Sequence, residues 1–65
     1  MNLEEVYEEV LPYLSNPKEV KDFLDGYNGH ALEDIIKDIN VKIVGMEASL
    51  KTDFRILLNA LERAG

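Results

Sequence analysis

Asn40-Val41-Lys42-Ile43-Val44-Gly45 is the stretch on which the fold hinges. Around it, Leu32, Ile36, Ile39, Ile43, Met46, Leu50, Phe54, Leu57 and Leu61 recur every three or four residues, the period of one helical face. From Leu32 to Leu50 the chain completes about five whole turns of α-helix. The two successive four-residue steps from Met46 to Phe54 then cancel the drift of a strict heptad. This spacing predicts one continuous amphipathic helix of about 50 Å that runs straight through the stretch. A rival reading starts from the stretch itself. Val41 and Val44 fall off the stripe, the segment is rich in β-branched residues, and Gly45 costs a helix interior about 1 kcal/mol. On that reading residues 40–45 are a short strand or a break between helices over 31–39 and 46–64. No second alternating run offers a strand a partner within the chain, so the spacing favours the continuous helix, with the break as the alternative.

Upstream, two helix starts are marked. Asn2 is placed to cap a first helix, with Glu5 at its third position; Asn16 is placed to cap a second, with Pro17 first and Glu19 third. Leu3, Val6, Tyr7, Val10, Leu11 and Leu14 make the apolar stripe of the first helix. Pro12 should end it near Leu11, or kink it so that it restarts through Leu14. The second helix is expected over Pro17–Asp25 with Val20, Phe23 and Leu24 on one side, followed by a turn at Gly26-Tyr27-Asn28-Gly29. The fold class expected is therefore all-α: a single helical domain over residues 1–65, two short N-terminal helices packed on a long C-terminal one.

Composition narrows the function. The 65 residues carry 13 acidic and 7 basic groups, for a net charge of −6, and no cysteine. A disulfide framework and thiolate metal sites are thereby excluded. A core of this size supplies no more than roughly 3–5 kcal/mol, which makes self-association or docking on a partner an attractive source of further stability. The longest apolar run is Ile56-Leu57-Leu58, so no membrane span is expected, and the acidic start Asn2-Leu3-Glu4-Glu5 is unlike a secretory signal. A cytoplasmic protein is the expectation. The negative charge opposes phosphate backbones and anionic membranes. It is concentrated in residues 1–29, which hold −5, against −1 for residues 30–65.

No catalytic or ligand-binding constellation in the sequence is convincing. His30 with Glu33 and Asp34 has helical spacing but is a poor zinc set, so neither metal nor cofactor is expected. Ser15, Ser49 and Thr52 have no imidazole brought to them by spacing, and the glycines match no nucleotide fingerprint; the chain is not expected to be an enzyme. Residues 17–25 and a helix from about Ala31 have helix-turn-helix lengths. Glu33, Asp34 and Asp38 would however repel phosphates at the recognition end, so direct nucleic-acid binding is not expected.

Two protein-binding readings remain. In the first, two short helices leave Phe54, Leu57, Leu58 and Leu61 uncovered, and the chain self-assembles through them as a homo-oligomer. In the alternative, Glu4, Glu5, Glu8 and Glu9, with Tyr7 and Tyr13, make the chain a small acidic regulator. Its partner would be a basic surface of a larger protein, of the kind that processes nucleic acid.

Overall fold

A computed structural model describes residues 3–27 and 29–64. The order is α1 (Leu3–Val10), a 3-10 turn (Leu11–Tyr13), α2 (Pro17–Asp25), α3 (Leu32–Lys42), a second 3-10 turn (Ile43–Gly45) and α4 (Ala48–Ala64). The all-α class holds, with helices packed against a C-terminal helix and no strand among the described residues. The cap expected of Asn2 lies outside those residues, as does Asn28 of the first turn. Pro12 does what its missing N–H requires: α1 stops at Val10, and Leu11–Tyr13 tightens into a 3-10 turn before Leu14 becomes extended.

The continuous C-terminal helix is not what forms. The α-helix ends at Lys42, and Met46 is extended at ψ 150° after the 3-10 turn. The physical reason is burial. A straight helix of about 50 Å would need cover along its whole length, whereas the folded chain spans only 28 × 24 × 20 Å. Turning back brings Ile35 and Ile39 of α3 into one core with Phe54, Leu57, Ala60 and Leu61 of α4. Each fully buried aliphatic side chain contributes about 1.5–3 kcal/mol. That outweighs the few helical hydrogen bonds lost, one of which Met46 replaces by donating its N–H to the Ile43 carbonyl at 3.2 Å.

Val6 and Val10 of α1 and Val20 and Leu24 of α2 complete the core. Because α3 adds a third covering element, α4 is not short of shelter: Leu57 and Leu61 are 0% exposed and Phe54 is buried with them. The expectation that Phe54, Leu57 and Leu61 stay uncovered is thus corrected; of that set only Leu58 remains half-buried. Within α3 the innermost residues are Ile35 and Ile39, not Leu32 and Ile36, since the break frees α3 to choose its own inward face.

Candidate functional site: the acidic face of the first helix

With Phe54, Leu57 and Leu61 of α4 enclosed, most of the residues that the sequence singles out at the surface are those of α1. At about 100° per residue, Glu4, Glu5, Glu8 and Glu9 occupy an arc of about 140°. Val6 and Val10 are buried on the opposite side, with Leu3 and Tyr7 half-buried beside them. All four glutamates are exposed. Glu4 and Glu5 sit in the first turn, where the positive end of the helix dipole favours them. At the other end Glu9 pairs with Arg63 of α4 at 3.6 Å, both side chains well exposed.

The tyrosines divide. Tyr7 is structural: its hydroxyl donates to the Pro17 carbonyl at 3.2 Å, and the Lys21 ammonium lies 5.7 Å from its ring centre. Tyr13 is 71% exposed and, with Leu11, presents apolar surface directly after the acidic helix. The structure therefore brings Glu4, Glu5, Glu8, Glu9 and Tyr13 to one solvent-facing segment and turns Tyr7 inward, away from the role first given it.

Two side-chain clusters were missed in the sequence. The first is Asp53, 1% exposed on α4. Its carboxylate accepts the backbone N–H of Ser15 at 3.0 Å and of Asn16 at 2.5 Å, and the Asn16 side-chain amide at 3.2 Å. Asn16 stands at the cap position of α2 as expected, but its side chain makes no capping bond. It reaches instead to Ser49 Oγ at 3.0 Å and to Asp53. In a capping box Glu19 would reach back for the Asn16 N–H; here a carboxylate from another helix takes it. One signal was readable in advance: Asp53 shares a helical face with Leu50, Leu57 and Ala60, an acid among core positions.

The second cluster joins the end of α2 to α3. The Tyr27 hydroxyl donates to Asp38 and accepts from the Lys42 ammonium at 3.4 Å. The ring of Phe23 lies 4.7 Å from that of Tyr27 and meets Phe54 edge-on at 5.1 Å. The hydrogen bond to Asp38, with a smaller contribution from burial, raises the Tyr27 pKa above the ordinary tyrosine value, and Lys42 opposes it. His30 packs its ring edge against Tyr27 at 5.2 Å. Among the described residues no three His, Asp or Glu side chains converge as a metal site, and no helix is long and apolar enough to cross a membrane. Comparison with protein-family models, curated proteins and solved structures returned no match.

Proposed function

We propose that this protein is a small non-enzymatic regulator that binds a basic surface of a larger protein through α1 and the turn after it. The observation that carries this reading is the placement of Glu4, Glu5, Glu8, Glu9 and Tyr13 together at solvent while Phe54, Leu57 and Leu61 of α4 are enclosed. A row of carboxylates resembles a row of phosphates in charge and hydrogen-bond acceptance, so a partner surface built to handle a nucleic-acid backbone suits it. Tyr13 and Leu11 add the apolar contact area that a purely ionic encounter lacks. Self-association, the other reading, has lost Phe54, Leu57 and Leu61 as its contact; it would have to use Leu58 or the exposed Val41 and Val44.

The test is affinity capture from native extract at low and high salt, with the wild-type chain beside a Glu5→Lys, Glu8→Lys variant of unchanged helical circular dichroism. A partner held by this face is lost both at high salt and on charge reversal. Partners that survive the reversal at low salt would rule the face out.

A further inference from the structure

The core faces of α3 and α4 stay in phase across the break that separates them. At about 100° per residue, the buried Ile35, Ile39, Phe54, Leu57, Ala60 and Leu61 fall within an arc of about 120° on one helix wound through residues 35–61. Ile43 and Met46, inside the break and half-buried, lie on the same arc. Two helices joined only by a turn owe each other no common phase, because the turn resets it. The backbone of the break is itself close to helical. Lys42 and Ile43 have right-handed helical angles, and a 3-10 turn departs little from them. Gly45 holds no positive φ, and the extended residue is Met46, at φ −83° and ψ 150°. Turning Met46 and Glu47 to helical angles joins α3 and α4 into one rod.

We infer that Met46 and Glu47 are the hinge of a domain-swapped dimer, in which α3 and α4 of each chain fuse and α4 enters the core of a second copy. A lone chain cannot straighten, because Ile39 and Leu57 would lose their cover. Two chains can. Each α4 leaves its own α1, α2 and α3 and takes the same place against those of the other copy, so the contacts outside the hinge are kept. The Asp53 clamp on Ser15 and Asn16 then runs between chains. The dimer gains helix across the hinge, where Ile43 and Met46 meet their counterparts at the two-fold axis. It loses association entropy, so concentration decides between the two states. The connection over residues 43–47 is short, the kind of hinge that invites exchange. The outer face of α1 is unchanged by the swap, which therefore does not depend on the partner that face binds.

Refolding of the whole chain tests this. Chain refolded from urea at about 1 mM should give a dimer on size exclusion, and refolding at about 10 µM should give monomer. Spin labels on Glu33→Cys and Glu62→Cys, at two exposed positions of a chain without other cysteines, measure the helix directly. With excess unlabelled chain present, the backbone separation within one chain of the dimer should be about 43 Å, the length of a continuous helix. The longest dimension of the single chain is 28 Å. Ala48→Pro suits the first position of α4 but falls inside the fused helix. It should lower the dimerisation constant by more than about a hundredfold per chain and leave the circular dichroism of the monomer unchanged. Two glycines inserted after Gly45 lengthen the hinge and should suppress the dimer as well, which keeps the test open if the proline disturbs folding. A chain that refolds only to monomer at about 1 mM would overturn the inference. So would a dimer whose intrachain separation stays within 28 Å, or one that forms as readily with the lengthened hinge. None of these outcomes bears on the charge-reversal experiment at Glu5 and Glu8.

Discussion

Asp53 holds the Ser15–Asn16 backbone to α4 with both carboxylate oxygens engaged and almost no contact with water. Removing it leaves amide donors in a half-buried corner without an acceptor, and hydrogen bonds to charged groups contribute about 1.5–3 kcal/mol. Asp53→Ala is therefore expected to lower the urea unfolding free energy by about 2–3 kcal/mol, with Asp53→Asn intermediate because it keeps one acceptor oxygen. Tyr27 gives a pH signature. Its folded-state pKa is raised, so the stability linked to it is fully present below the unfolded value of about 10 and is lost as pH climbs through the folded value. In a titration at 295 nm, the difference between the wild type and Tyr27→Phe should have its midpoint above that of an ordinary tyrosine.

Among the elements, the connections carry different demands on their glycines. Gly29 has φ 85°, a conformation that costs an L-residue strain wherever there is space for its side chain. Gly45 has no such φ, and a Cβ built there meets nothing within 4 Å. Gly29→Ala should thus destabilise by about 1 kcal/mol or more. Gly45→Ala should be neutral or stabilise by up to about 1 kcal/mol through the unfolded chain; parallel urea melts separate the two. The contrast also shows what local sequence can carry. Pro17 and Asp25 bounded α2 correctly, and Pro12 marked the end of α1, because proline chemistry acts within one turn. The break after Lys42 was visible as an alternative in Val41, Val44 and Gly45, but the helical period outvoted it. Periodicity records which residues prefer burial, and it does not record whether a straight element has anything to be buried against. The cross-helix roles of Asp53, Asn16 and Lys42 depend on neighbours more than a dozen positions away, and for the Tyr27–Lys42 pair spacing offered no hint at all.

At the scale of the molecule, the four α-helices of the described residues share one small core in which Val20, Ile35, Ile39, Leu57 and Leu61 are fully enclosed. A large-to-small change there costs about 2–5 kcal/mol, which equals the entire stability of roughly 3–5 kcal/mol that a core of this size provides. Leu57→Ala should accordingly abolish the cooperative thermal transition, where the exposed changes at Glu5 and Glu8 leave it in place. The same economy separates the candidate surface from the scaffold. The acidic arc of α1 faces outward on a helix whose opposite side is fixed by Val6 and Val10, so the charges at Glu5 and Glu8 can be altered without touching the core that holds the chain together.

The Asp53 corner also sets an order of assembly. Ser15 and Asn16 are joined to a residue 38 and 37 positions downstream, so this corner has no partner until Asp53 itself has been made. Closing a loop of that length is entropically slow compared with winding a single helix. No truncated product that stops short of Asp53 can contain the native corner.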